Sequence, residues 1–227
     1  LFPYTTFFRS MLSTFSQPSL MIVRVVTLII AFTVHEFSHA LVAVSFGDPT
    51  PRYDKRLTLN PLRHLDIFGS LMLLVTGFGW AKPVRINPSQ LEKKSKAAMM
   101  LVSLAGPLSN VLLALIAGAL LKLAPAEPWL RLPSILPSWP FFLRNFILIN
   151  LSLAVFNLLP LAPLDGEKVL EFFVPKAIRP IWDQIQNYGM LILMLGLLVL
   201  PNYFNIDVVG SVLSPIIKSL YQFVTGG

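Results

Sequence analysis

The run Leu20–Phe46 reads LMIVRVVTLIIAFTVHEFSHALVAVSF, and it decides the architecture. A helix needs about 20 mostly apolar residues to cross a bilayer, and this run supplies them. Arg24 lies near one end; His35, Glu36 and His39 fall in the second half. Glu36 is the only acidic residue in the run. An ionisable group at bilayer depth costs about 2.5–3.5 kcal/mol even on the mildest scale, so such a residue is a functional hypothesis by default.

Composition points the same way. Of 227 residues, 55% are apolar and 13% charged, and the mean hydropathy is +0.69. A soluble domain carries about 25% charged residues. The shortfall excludes an ordinary soluble globule and a disordered chain. The absence of cysteine excludes a disulfide framework, a thiolate metal site and a cysteine nucleophile. In so apolar a chain, the net charge of +7 reads as membrane topology and not as a nucleic-acid surface.

Outward from the first run, Lys96–Leu121 and Phe141–Leu159 read as further spans. Tyr188–Leu200 is shorter and can extend backwards through Ile181–Asn187. Val208–Val224, interrupted by Pro215 and Lys218, reads as a last span or an interfacial helix. Residues 1–19 are too polar to cross and read as an interfacial segment; they lack the basic start and small-residue cleavage site of a signal peptide. Ile67–Phe78 is too short to span, and Gly77, Gly79 and Pro83 break any helix after it. The expectation is an all-α polytopic membrane protein, a bundle of about four to six transmembrane helices. A short re-entrant or hairpin segment would lie between the first and second core helices, tolerated only where protein or water satisfies its backbone. The core is placed at 20–200, after the 1–19 segment and before a C-terminal helix within 201–227.

Nine of the eighteen basic residues lie between Gly47 and Lys96, and Lys168, Lys176 and Arg179 fall between Leu161 and Ile185. Only Arg131 lies between Ala124 and Pro140. The positive-inside rule puts the two basic segments in the cytoplasm, with the His35–His39 half of the first helix toward that face.

His35-Glu36-Phe37-Ser38-His39 has the form H-E-x-x-H. Residues four apart share a helix face, so both imidazoles can reach one metal, with Glu36 beside them as general base for a bound water. Zinc accepts two His and one carboxylate and keeps a position open for water. Asp165 is the candidate third ligand, in Asn157-Leu158-Leu159-Pro160-Leu161-Ala162-Pro163-Leu164-Asp165-Gly166. Pro160 and Pro163 unwind the third span, and Gly166 permits an unusual backbone angle. The unwound segment can aim Asp165 into the bundle; equally, Asp165-Gly166 can be a plain surface turn. Asn110 suits packing across helices as well as a site role. His64 and Asp66 can support the site or contact substrate, though a loop His beside an Asp is more often a solvated pair; Gly189 and Gly196 read as points of close helix packing.

Together, His35–His39 and Asn157-x-x-Pro160-x-x-Pro163-x-Asp165-Gly166 resemble the site-2 protease family of intramembrane zinc metalloproteases. Ala105-Gly106-Pro107-Leu108-Ser109-Asn110 looks like that family's G-P-x-x-N element. Leu57-Thr58-Leu59-Asn60-Pro61 and Gly77-Phe78-Gly79-Trp80-Ala81-Lys82-Pro83-Val84 look like its small bacterial branch, without a PDZ or CBS domain. The resemblance implies one zinc per chain on His35, His39 and Asp165, with Glu36 activating water. It implies that Asn157, and at one remove Asn110, hold substrate or stabilise the transition state, and that the 67–87 segment is a membrane-associated hairpin. The partners implied are a transmembrane protein substrate and the lipid bilayer, with no nucleic acid. The setting implied is a bacterial inner membrane. A metal-ion transporter and a catalytically inactive homologue that binds membrane proteins are the competing readings.

Overall fold

A computed structural model describes residues 17–66, 69, 82–124 and 136–227. In chain order the helices are α1 (Pro18–Ser45), α2 (Thr50–Tyr53), α3 (Pro88–Lys94), α4 (Ala98–Leu123), α5 (Trp139–Asn157), α6 (Asp165–Glu171), α7 (Arg179–Asn187), α8 (Gly189–Tyr203) and α9 (Val208–Thr225). Among the described residues, α1, α4, α5 and α9 are each long and apolar enough to cross a membrane. The bent pair α7–α8 raises the number to five if it forms one span. The chain is therefore the all-α polytopic membrane protein expected. Most of the Ile67–Phe78 run, the Gly77–Ala81 part of the following motif, and residues 1–16 lie outside the described residues.

Helix α1 opens with Pro18 in its first turn, where a missing N–H costs nothing. It ends in a left-handed glycine turn. Gly47 has φ +89°, its N–H reaches the Val44 carbonyl, and the Asp48 N–H reaches the Ala43 carbonyl. This pairing satisfies the last carbonyls of the helix and turns the chain back along the bundle.

The packing is inside-out relative to a soluble protein. Asn110 and Asn150 are fully buried, while Leu108, Leu112 and Ile116 of α4 and Met190, Leu191 and Met194 of α8 are exposed. Lipid is as apolar as leucine, so close packing and interhelical hydrogen bonds hold such a bundle together. The main core joins α4 (Ala114, Ala117), α5 (Leu143, Phe146, Ile147, Leu151) and α9 (Leu213, Ile217, Val224). Small residues set its closest approaches: a Cβ on Gly118 would lie 2.4 Å from Val224 Cγ1. A second cluster, Ala43, Leu91, Ala98 and Val102, seats α1 and α3 against the start of α4.

One boundary differs from expectation. Residues 181–187 do not extend the Tyr188–Leu200 run in a straight line, because α7 meets α8 at 55°. Helix α7 carries Asp183, Gln184, Gln186 and Asn187 and has no buried residue. Such a helix gains nothing by continuing into the apolar layer.

Candidate metal centre

His35 and His39 are one turn apart on α1, and each is 6% exposed. Their Nε2 atoms lie 3.1 Å apart. Asp165 closes the group, with Oδ2 3.1 Å from His35 Nε2 and Oδ1 3.3 Å from His39 Nε2. The three candidate ligand atoms all lie within 4.8 Å of one another. The structure thus brings Asp165 into the bundle, and the surface-turn alternative fails.

The remaining ring nitrogens are committed elsewhere. His39 Nδ1 donates to the Val102 carbonyl at 2.7 Å. His35 Nδ1 meets Asn110 Oδ1 at 2.7 Å. Asn110 Nδ2 donates to the Ala31 carbonyl (3.3 Å) and to Asn150 Oδ1 (3.0 Å). Asn150 Nδ2 donates in turn to the Phe146 carbonyl at 2.9 Å. The direction of this chain leaves Asn110 Oδ1 as an acceptor, so His35 also donates from Nδ1. Each ring then turns its Nε2 toward the other and toward the carboxylate. Asp165 Oδ2 is buried without an aligned donor. A cation at the point where these three groups converge would pair with all three. Two imidazoles and one carboxylate are the donor set zinc takes in a site with an open position, and outer hydrogen bonds of this kind fix ligand rings. The residues fit the metal.

Helix α4 comes close because Gly106 lacks a side chain. A Cβ there would sit 2.4 Å from His39 Nε2 and 2.6 Å from His35 Nε2. Glu36, 9% exposed, turns to a different element: its Oε2 accepts from the Val84 N–H at 3.0 Å. Val84 belongs to an extended strap, 82–87, which is fastened at several points. Lys82 N–H donates to the His64 carbonyl (2.8 Å), and Asn87 N–H donates to Asp48 Oδ2 (2.7 Å). The buried Arg56 guanidinium donates to the carbonyls of Arg63, Lys82 and Pro83. Arg85 pairs with Asp54 through two bonds, of 2.8 and 2.6 Å.

Two expectations need correction. His64 is not solvated: it is fully buried, with Nε2 2.7 Å from the Thr58 carbonyl, and the strap docks on its backbone through the Lys82 N–H. Gly166 does not take a left-handed angle and is absent from the positive-φ glycines. It sits in the first turn of α6 because a Cβ would fall 2.2 Å from the Leu158 carbonyl oxygen. Asn157, the last residue of α5, donates from Nδ2 to Leu153 of its own helix at 2.9 Å. The Asp66 carboxylate caps the Gly69 N–H locally. Just past Asp165, burial pushes the Glu167 carboxyl up, against the opposing pull of the Lys168 ammonium 3.1 Å away.

Asn150 does carry a sequence signal, a carboxamide in the middle of an apolar run. The Val102 carbonyl and the Val84 amide are backbone groups and carry none.

The chain matches the model of peptidase family M50 over residues 23–130 and 133–200. The Bacillus subtilis protein named "Putative zinc metalloprotease YwhC" is 46% identical over 176 residues, 78% of this chain and 80% of that protein. "Putative zinc metalloprotease Rip2" of Mycolicibacterium smegmatis is 31% identical over 176 residues, 76% of this chain and 65% of that one. "Putative zinc metalloprotease MJ0611" of Methanocaldococcus jannaschii is 32% identical over 164 residues, 70% and 76% of the two chains. No solved structure matches significantly. A double-histidine helix met by a carboxylate inside a membrane bundle thus coincides with a match over most of the chain, which belongs to peptidase family M50, the site-2 protease family.

Proposed function

We propose that this chain is an intramembrane zinc endopeptidase that cleaves transmembrane segments of membrane-anchored proteins, the chemistry of regulated intramembrane proteolysis. One zinc per chain would be held by His35, His39 and Asp165. The observation that carries the reading is the convergence of His35 Nε2, His39 Nε2 and the Asp165 carboxylate within 4.8 Å of one another, with Asp165 Oδ2 buried and without an aligned donor.

A bound zinc would polarise the scissile carbonyl and lower the pKa of a water at its open position. The rest falls to the chain. Glu36 accepts a proton from the attacking water and returns it to the amide nitrogen as the C–N bond breaks. The Val84 N–H holds that carboxylate in place. Asn157, at the end of α5 and just before the ligand loop, is our candidate for holding substrate backbone or the developing oxyanion. Asn110 acts at one remove, through His35. Helical amides are already hydrogen-bonded and shielded, so a substrate helix must unwind locally before it is cut.

We place the catalytic unit within residues 20–200, in a bacterial inner membrane, with its site toward the cytoplasm. The basic residues between Gly47 and Lys96 support that orientation. The test is Glu36→Gln, assayed on transmembrane peptides in detergent beside metal analysis. General acid–base catalysis contributes about 10²–10⁴-fold, so cleavage should fall by at least that factor while zinc remains at one per chain. Normal turnover by the variant would sink the mechanism. Metal uptake into liposomes without peptidase activity would favour a transporter.

A further inference from the structure

The loop 158–164 that delivers Asp165 makes few backbone bonds of its own. Beyond the end of α5, Leu161 N–H reaches Leu159 and Leu164 N–H reaches Leu161. Pro160 and Pro163 contribute no N–H. The Ala162 N–H and the Pro160 carbonyl are both taken by one distant side chain. Gln186 Oε1 accepts from Ala162 N–H at 2.7 Å, and Gln186 Nε2 donates to the Pro160 carbonyl at 3.1 Å. Backbone N–H and C=O groups need partners, and here this fork supplies what a regular helix would. A second, independent contact falls on the same stretch. A Cβ on Gly189 would lie 2.4 Å from the Ala162 oxygen and 2.9 Å from its nitrogen. Gln186 and Gly189 flank the 55° bend between α7 and α8. The bend is therefore the seat of the ligand loop.

We infer that Gln186 is a positioning residue for Asp165: its carboxamide grips the backbone of Pro160 and Ala162, and so fixes the carboxylate where it meets His35 and His39. This rests on the reading of His35, His39 and Asp165 as zinc ligands. Gln186 touches none of them, and the histidine pair is held by other elements. Loss of the grip should therefore act on the metal through Asp165 alone.

The test is zinc affinity of the full chain in detergent, measured by competition with a chromophoric chelator. Gln186→Met keeps the side-chain length and removes both bonds. Outer contacts of metal ligands are worth about 10–100-fold in metal affinity, and a loss in that range is expected. Gly189→Ala pushes the same loop from the other contact and should weaken zinc similarly; it serves if the Met variant does not fold. The decisive comparison repeats Gln186→Met in an Asp165→Asn background, which keeps both imidazoles. Contacts that act through one group are not additive, so the second loss should shrink to less than about twofold. Unchanged zinc affinity in Gln186→Met, or the same fold-loss in both backgrounds, overturns the inference while the zinc reading stands. A wild-type chain that binds no zinc overturns both, a result distinct from zinc binding indifferent to residue 186.

Discussion

The two halves of the candidate centre are held in different ways. His35 and His39 sit on one long helix, and each ring is fixed on its far side by a buried acceptor from α4. Asp165 is the first residue of α6, delivered by the loop from α5; its side chain is 20% exposed, and the loop leans on a side chain twenty-four residues away. The helix sets the spacing of the first half and α4 holds its rings, whereas the second half is only as well placed as the fastenings of its loop. If the proposed function holds, a site that takes in an unwound peptide would gain from this asymmetry, since the two histidines stay put while the elements around Asp165 can give way.

Gly106→Ala should break the rigid half. Alanine favours a helix interior by about 1 kcal/mol over glycine, so α4 itself gains. The new Cβ, however, would sit 2.4 Å from His39 Nε2, and the ring cannot retreat because Val102 holds its other nitrogen. Zinc affinity should fall by more than the ~100-fold ceiling for outer contacts, with helix content by circular dichroism unchanged. Near-normal zinc binding would show that the histidine half also has slack.

The Asn110–Asn150 chain sharpens the same contrast. Asn110→Leu removes the acceptor for His35 Nδ1 and should weaken zinc about 10–100-fold. Asn150→Leu leaves that acceptor in place and frees only its orientation, so a loss below about tenfold is expected. Interhelical hydrogen bonds in membranes average about 0.6 kcal/mol. Thermal unfolding should therefore shift little for either variant, although zinc affinity separates them. Equal zinc losses would mean that Asn110 acts by packing and not by direction.

The sequence told the rigid half plainly, because H-E-x-x-H spacing and helical periodicity are the same fact. Asp165 was legible as a motif residue, but its entry into the bundle was not, since Pro160 and Pro163 unwind a chain without saying where it goes. Gln186 stood in a polar stretch before a span, and nothing local distinguishes a side chain that grips a loop from one that faces solvent. His64 departs from expectation for a related reason: loop residues are ordinarily wet, and this one is buried where the strap docks on its backbone. In the sequence Gly166 signals conformational freedom, whereas what its place requires is the absence of a Cβ against Leu158. Contacts within one turn are written in the sequence; contacts across twenty-four to seventy-five residues are written only in the packing.

The strap that holds Glu36 gives the smallest effects and a direct contrast between two arginines. Both fasten residues 82–87, yet Arg56 is 6% exposed and donates to backbone carbonyls on two segments. Arg85 reaches Asp54 from an exposed position, its side chain 79% exposed. A displacement near 1 Å at a catalytic group can cost about a hundredfold. Arg56→Met, which leaves three carbonyls unmatched and loosens Val84, should lower kcat by about 10–100-fold with zinc occupancy intact. Exposed ion pairs are screened over about 8 Å at physiological salt and contribute little. Arg85→Met should thus leave kcat within about twofold of wild type under those conditions. If Arg85→Met were as damaging as Arg56→Met, the strap would be fastened from its exposed edge, and Glu36 would belong with Asp165 among the loosely held groups.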